Sequence, residues 1–400
     1  MSGGAAATWH ADDLLARHAR DAGDETALVT VASRVTWRAL DARASAWAVR
    51  VREAGVRSGE RVALVGPTST DAVAAILGVL RAGAVAAPIP GGLTARELEA
   101  ALDVVRPILV LRHAERVPVG GGELRATDER DPEAPAVVVL TSGTTGRPKG
   151  VVLSARALAA SADAWLAALP DGTGWALPLG LGHVAGLGIL WRALRRRVPV
   201  WLVPPADPAL LLAVLRAPGA PSHVSLVAGQ LTRLLDAAAA AAGDRGADAD
   251  AGAGAGADAP PPDAVRAVLP GGGPVPEALV VRAARAGWPV MPTYGLTEMA
   301  SGVTALAVGE TLEAPGTAGR PLPGMTVTID EPGSDGIGEI VVAGPSRCSG
   351  YLGEPRVTVD APLRTGDLGR LDDAGRLVVV DRRTDRIVRG GENVAPAEVA

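Results

Sequence analysis

The stretch from Ala136 to Leu169 constrains the fold more than any other part of the chain. A continuous apolar run, Ala136 to Leu140, leads into the glycine-rich loop Thr141 to Gly150, and a helical period follows from Ala155 to Leu169 behind Ser154 as a cap. A short apolar run bounded by turn residues reads as a buried strand, and strand, loop and helix in succession read as parallel α/β layering. The same alternation runs upstream. Arg61-Val62-Ala63-Leu64-Val65 reads as a buried strand, Ser69 to Ala82 as a helix capped at Ser69 or Thr70, Thr94 to Val105 as another helix, and Ile108 to Leu111 as the strand after it.

The loop itself, Thr141-Ser142-Gly143-Thr144-Thr145-Gly146-Arg147-Pro148-Lys149-Gly150, holds three glycines, four hydroxyl side chains and the only lysine of the chain. Glycine lets backbone amides come close to a phosphate, hydroxyls donate further hydrogen bonds, and an ammonium offsets charge on a leaving pyrophosphate. The glycine-to-lysine spacing is not that of the Walker loop, and no Ser or Thr follows Lys149. The lysine stands out further because Lys and Arg together number 39 and all the others are arginine, while Phe is absent and Tyr occurs twice. Where coding bias has converted nearly every ammonium to a guanidinium, a surviving lysine points to a need for a compact, flexible charge. The other survivors of the bias are Tyr294, Tyr351 and the lone asparagine, Asn393.

Four hundred residues at 48% hydrophobic content suffice for a large core and two or more packed lobes. A net charge of -5 without a basic tract argues against a nucleic-acid or anionic-membrane binder. Only Arg195, Arg196 and Arg197 form a run. The single cysteine, Cys348, excludes an internal disulfide and fits a reducing compartment. The N-terminus mixes Ala7 and Trp9 with Asp12, Asp13 and Arg17, so a soluble, cytoplasmic protein is expected; nothing forces oligomerisation, and a homodimer stays open.

Two further regions have their own composition. Asp236 to Pro262 is an alanine, glycine and aspartate tract with no hydrophobic period, expected to be a disordered surface insertion over about 236–263 between strands at Ser225-Leu226-Val227 and Ala264 to Leu269. From Pro321 to Val380, alternating runs at Thr326-Val327-Thr328-Ile329, Glu339-Ile340-Val341-Val342 and Arg376 to Val380 are separated by the turn signals Pro332-Gly333 and Asp373-Ala374-Gly375, which predicts a β-rich subdomain over 321–380.

With these residues in view, Thr141 to Gly150 resembles the signature of the adenylate-forming superfamily, which holds acyl- and aryl-CoA ligases, luciferases and peptide-synthetase adenylation domains. Further segments are similar in order and spacing. Tyr294-Gly295-Leu296-Thr297-Glu298 resembles the segment whose aromatic ring stacks on adenine, whose threonine meets the α-phosphate and whose glutamate helps to hold Mg²⁺, with Thr141 beside it. Gly271-Gly272-Gly273 resembles the adenine-side glycine stretch. Thr365-Gly366-Asp367 resembles the motif whose aspartate takes both ribose hydroxyls, as a bidentate acceptor does well. In Asp381-Arg382-Arg383-Thr384-Asp385, Arg382 matches the ribose-contacting arginine and Thr384 lies near the hinge pivot. Taken singly, Tyr294 reads as a core aromatic, Asp367 as a turn aspartate and Arg382 as a solvated charge; the shared order sets them apart.

The resemblance implies an α/β fold: a large N-terminal domain, 1–380, of layered α/β subdomains plus the β-rich subdomain, then a hinge at 381–386. Residues 387–400 are then the start of a truncated C-terminal domain, so the small domain is expected to be missing and with it the family's catalytic lysine. Nucleotide and acid binding are expected to persist in such a chain, with slow adenylation and little thioester. The implied co-substrates are ATP, with Mg²⁺, and CoA, alongside a small-molecule carboxylic acid. The implied chemistry is attack by that carboxylate on the α-phosphorus, with Lys149 and Thr141 to Thr145 on the β- and γ-phosphates and Thr297 at the α-phosphate.

For the acid, Pro178-Leu179-Gly180-Leu181-Gly182-His183 is similar to the ligase segment whose histidine, here His183, lies by the carboxylate; Gly180-Leu181-Gly182 stands where the family often has an aromatic residue. The continuation Gly188-Ile189-Leu190-Trp191-Arg192 and the stretch Ser222-His223 to Leu235 resemble the o-succinylbenzoate:CoA ligases of menaquinone biosynthesis. His223, Arg233 and Gly295 are therefore candidates at the acid, and either Arg233 or Arg192 is a candidate partner for a second carboxylate. Two alternatives stay open: an adenylation domain serving a carrier protein, and a lid-less, inactive nucleotide-binding protein.

Overall fold

The structure, a computed structural model, describes residues 10–112, 130–142, 148–246, 258–382, 387–389 and 392–394. Two predominantly parallel sheets form its body. The five-stranded sheet runs in the spatial order Leu109–Arg112, Arg61–Gly66, Val85–Pro90, Pro135–Ser142, Pro148–Ser154, the last strand antiparallel. The six-stranded sheet runs Ala267–Pro270, His223–Leu226, Trp175–Leu177, Val200–Leu202, Thr26–Val29, Arg34–Thr36, again antiparallel only at its final pair. Strands buried on both faces are expected to be continuously apolar, and Val62 to Val65 and Val85–Pro90 are.

The helix signals in the sequence work through specific caps. Ser69 accepts from the Ala72 amide ahead of Thr70–Arg81, and Ser154 accepts from the Ala157 amide ahead of Ala155–Ala168, a contact worth about 1 kcal/mol. Thr94 and Glu97 form a reciprocal capping box at the head of Ala95–Val105. One apolar core joins side chains of both sheets, including Leu64, Val137, Trp175 and Leu202, with Leu187 and Leu190 from the helix Val184–Arg196.

The β-rich subdomain is a four-stranded antiparallel sheet, Thr326–Asp330, Gly338–Ala343, Leu363–Leu371 and Leu377–Arg382. Between it and the six-stranded sheet lies a three-stranded sheet, Thr293–Leu296, Ser301–Ala305 and Arg320–Pro321, and a separate hairpin pairs Ile387–Arg389 with Glu392–Val394. Among the described residues, no helix is long and apolar enough to cross a membrane.

The expected insertion is corrected at both ends. The helix Ala228–Gly246 continues through the first half of the alanine-rich tract, and Ala238 is fully buried in it. Alanine is the strongest helix former, so a polyalanine run with one packed face extends a helix at little cost. On the far side Ala259 is buried, and Arg282 clamps Asp258 and Asp236 at 2.6 and 2.8 Å. Residues 247–257 lie outside the described residues. The arginine run behaves as a solvated face: Arg195, Arg196 and Arg197 pair with Asp163, Asp171 and Glu25.

Candidate active site

The segments at Thr141, Pro178 and Gly271 leave the carboxyl ends of parallel strands, where open α/β sheets place their ligands, while Tyr294 to Leu296 and Thr365 to Asp367 lie within antiparallel strands. Thr141 and Lys149 are register partners across the antiparallel pair Pro135–Ser142 and Pro148–Ser154, so the two described ends of the glycine-rich segment run as paired strands. That pairing was not foreseen from sequence. Gly143, Thr144, Thr145 and Gly146, and the side chain of Ser142, lie outside the described residues. Gly150 has a clear physical role, because a Cβ there would stand 2.7 Å from Leu352 and 3.1 Å from Val138. The missing side chain lets the segment Ser349 to Leu352 lie against the hairpin. Val152 donates its amide to Gly350 at 2.9 Å, Leu352 donates to Gly150 at 2.8 Å, and Ser349 donates to Val152 at 2.8 Å. This places the Tyr351 ring 4.9 Å from the Lys149 ammonium.

Tyr294, Glu298 and Asp367 are brought together by contacts between segments distant in sequence. The Tyr294 hydroxyl donates to Asp367 Oδ2 at 2.7 Å, and the Tyr351 hydroxyl donates to Glu298 Oε1 at 2.7 Å. The Cys348 amide donates to the Glu298 carbonyl at 2.8 Å. Burial, followed by the Glu298 carboxylate, pushes the Tyr351 phenol above its ordinary value. Thr297 and Glu298 sit on a single 3₁₀ turn, Thr297–Met299, after which Ala300 and Ser301 adopt positive φ values of 51° and 124°. Neither is glycine, so this turn carries local backbone strain. Gly295 lies opposite Gly302, and a Cβ on it would stand 2.2 Å from the Ser301 carbonyl. Asp367 is the register partner of Arg382. The Arg382 side chain and Thr384 lie outside the described residues. Gly271, behind the strand Ala267–Pro270, has no room for a Cβ beside Thr293; Gly272 takes φ 78°, and Gly273 faces open space.

The acid-side candidates separate into three environments. His183 is exposed at the head of Val184–Arg196, where its amide donates to Gly180 at 3.1 Å. Gly182 before it packs on Pro90, and a Cβ there would stand 2.6 Å from the proline ring, so an aromatic residue does not fit at that position. His223 is a correction. It is 4% exposed at the amino end of its strand, donates from Nε2 to the Pro170 carbonyl at 3.1 Å, and stacks on Trp175 at 4.9 Å; its Nδ1 bonds Ser222 Oγ at 2.8 Å. Both nitrogens are committed to the protein, and burial, followed by the nearby Arg192 cation, pulls its pKa down to about 4, so its ring has no free nitrogen to offer a substrate. Arg233 is exposed on the helix Ala228–Gly246 and has no ion pair among the described residues.

Arg192 differs from all of these. Its guanidinium is 2% exposed between two indoles, 5.2 Å from the Trp165 ring and 4.6 Å from the Trp175 ring. Nε has no hydrogen-bond partner, and no carboxylate among the described residues pairs with it. Burial lowers its pKa to about 9, which leaves it cationic at neutral pH. Arg192 Nη2 and Ser301 Oγ both lie 3.4 Å from the position a Cβ on Gly188 would occupy, so the buried cation borders the strand that follows Glu298.

Residues 15–352 match the family model described as AMP-binding enzyme. The chain belongs to that family. It is 31% identical to the 2-succinylbenzoate--CoA ligase of Bacillus cytotoxicus, over 94% of this chain and 79% of the relative. Its fold is similar to the Bacillus subtilis O-succinylbenzoate coenzyme A synthetase, solved in complex with AMP, at TM-score 0.83 and 26% identity, covering 96% of this chain and 82% of that one. The same enzyme in complex with ATP and magnesium ion gives TM-score 0.80, 26% identity and the same coverage. A Mycobacterium tuberculosis fatty acyl CoA synthetase gives TM-score 0.79 at 26% identity, covering 98% and 82%.

Two residues stand out beyond the motifs: Tyr351, which the sequence reading left without a role, and Arg192, which it offered as an alternative to Arg233. Tyr351 had a signal in the sequence as one of two surviving tyrosines. Arg192 had a stronger one: every residue from Gly186 to Leu194 is buried, and a helix apolar all round buries whatever charge it contains.

Proposed function

We propose that this protein uses ATP to activate o-succinylbenzoate as an acyl-adenylate and passes the acyl group to CoA. The observation that carries the choice of acid is the buried, uncompensated Arg192. A guanidinium held out of water without a counter-ion is costly, and a substrate carboxylate beside it removes most of that cost. A dicarboxylic acid fits a site with His183 at the reacting end and a buried cation further along the same helix. A monocarboxylic acid leaves Arg192 uncompensated.

The remaining residues suit an in-line displacement in which an anion approaches an anion. The carboxylate oxygen bonds to the α-phosphorus as the bond to pyrophosphate breaks; the CoA sulfur then attacks the acyl carbon and AMP leaves. Positioning and charge neutralisation are the main tasks. Lys149 and the loop from Thr141 hold the β- and γ-phosphates, and Thr297 holds the α-phosphate. Because the Tyr294 hydroxyl is bonded to Asp367, the adenine-stacking ring and the ribose-binding carboxylate are fixed as one unit, with Arg382 as the register partner behind them and Gly271 to Gly273 on the adenine side. Glu298 fits Mg²⁺: Mg²⁺ is commonly held by one or two carboxylates plus substrate phosphates, and among the described residues no group of three or more candidate ligands forms a protein cage. When bound, Mg²⁺ offsets charge on the phosphates. Thr384, just after the strand that ends at Arg382, is the proposed hinge.

The test is acid-dependent pyrophosphate release from a panel of aromatic and fatty acids, with and without CoA and with Lys149→Ala as control. Release is expected with o-succinylbenzoate well above its monocarboxylic analogues. Equal rates with benzoate-type monoacids would remove the dicarboxylate reading, and silence with every acid would leave a nucleotide-binding protein.

A further inference from the structure

We propose that Tyr351 is a positioning residue of the phosphate site, a spacer that keeps Lys149 and Glu298 from pairing with each other so that both remain available to the triphosphate and its metal ion. The inference rests on the nucleotide reading above. Three contacts meet at this one side chain. Its hydroxyl donates to Glu298 Oε1 at 2.7 Å, its ring lies 4.9 Å from the Lys149 ammonium, and its backbone forms a β-bridge with Val151, two residues after that lysine.

The Lys149 ammonium is exposed and the Glu298 carboxylate half-buried, and such a pair on neighbouring segments still attracts, because water screens it only in part. A collapsed Lys149–Glu298 pair would have to be broken each time a nucleotide entered. Instead, among the described residues Lys149 forms no ion pair. The ring face offers the ammonium a weaker, more easily vacated seat. The phenol gives the carboxylate a charge-assisted hydrogen bond on one oxygen and leaves Oε2 without a hydrogen-bond partner among the described residues. The spacer is fixed in place: its neighbours are bonded to Gly150 and Val152 on one side, and Cys348 is bonded to the backbone of Glu298 on the other.

ATP binding by calorimetry, with Mg²⁺ and with chelator, tests the role without any acid or turnover. Tyr351→Phe keeps the ring and loses the hydroxyl. It is expected to bind metal-free ATP within about twofold of the parent and to lose about tenfold of the affinity that Mg²⁺ adds, the size of one hydrogen bond to a charged group. Tyr351→Leu also frees Lys149 to pair with Glu298, so its metal-free ATP affinity falls as well. Adding Glu298→Gln to Tyr351→Leu removes that pairing and restores metal-free affinity, a rescue that a merely structural tyrosine would not permit. A Tyr351→Phe variant with unchanged Mg²⁺ dependence, or one losing both affinities equally, overturns the spacer. A parent protein that binds no ATP overturns the nucleotide reading itself.

Discussion

The nucleotide end and the acid end of the site are built on opposite principles. At the nucleotide end the polar side chains satisfy one another across long sequence separations: Tyr294 with Asp367, 73 residues apart, and Tyr351 with Glu298, 53 apart. At the acid end the central feature is a charge with no carboxylate partner among the described residues, Arg192 between Trp165 and Trp175. The first arrangement is rigid before any ligand arrives. The second is complete only with an anion present, so it stores selectivity as an unpaired charge instead of as a set of hydrogen bonds.

The sharpest way to break this comparison is Arg192→Leu. Removing this proposed partner for a second carboxylate is expected to lower kcat/KM for o-succinylbenzoate about 100-fold, roughly 3 kcal/mol, while ATP affinity stays unchanged. Because burying the cation is costly, folding stability measured by denaturant titration is expected to hold or rise. A variant that is destabilised yet keeps its acid kinetics would reduce Arg192 to a packing residue. Arg233→Ala, the exposed alternative, is expected to change the same constant by less than about twofold.

His223→Gln probes a residue assigned to neither end. The native pKa, about 4, lies below the ordinary 6.5, so between those values the unfolded chain binds more protons. The stability this gives is present above about pH 6.5 and is lost as pH falls towards 4, at most about 3 kcal/mol. Unfolding midpoints at pH 7 and pH 5 are expected to differ less in the variant than in the parent, with acid kinetics unaffected; a change in acid KM would return His223 to the site. The smallest effect is expected from Tyr294→Phe, which removes one hydrogen bond to Asp367: about 1 kcal/mol, or roughly fivefold in KM for ATP. Loss of acid affinity instead would mean that the two ends are mechanically joined.

The nucleotide end was legible in the sequence because its chemistry demands unusual local composition: glycines with no room for a Cβ, hydroxyls beside them, and a lysine in a chain of arginines. Helix starts were legible for the same reason, since Ser69, Thr94 and Ser154 do a job few side chains can do. Three features were not. The strand Pro148–Ser154 is apolar for only part of its length, and its partner across the hairpin is what defines it. The helix through Asp236 looked like low-complexity sequence because alanine signals helix and linker alike until Ala238 is seen to be packed. Arg192, Arg233 and His223 resembled one another as polar residues in regular elements, and only the tertiary packing separates a buried arginine between two indoles, an exposed arginine and a buried, fully bonded histidine.

The β-bridge between Val151 and Tyr351 ties together residues that leave the ribosome 200 positions apart. During synthesis the phosphate hairpin is made early, yet Glu298, Tyr351 and Asp367 arrive much later. Contacts this distant in sequence close slowly, and they close after local structure has formed. A nascent chain therefore cannot draw stability from nucleotide until nearly all of the residues described here have emerged, so ATP is expected to act as a stabilising ligand on the finished protein and not as an aid to its early folding.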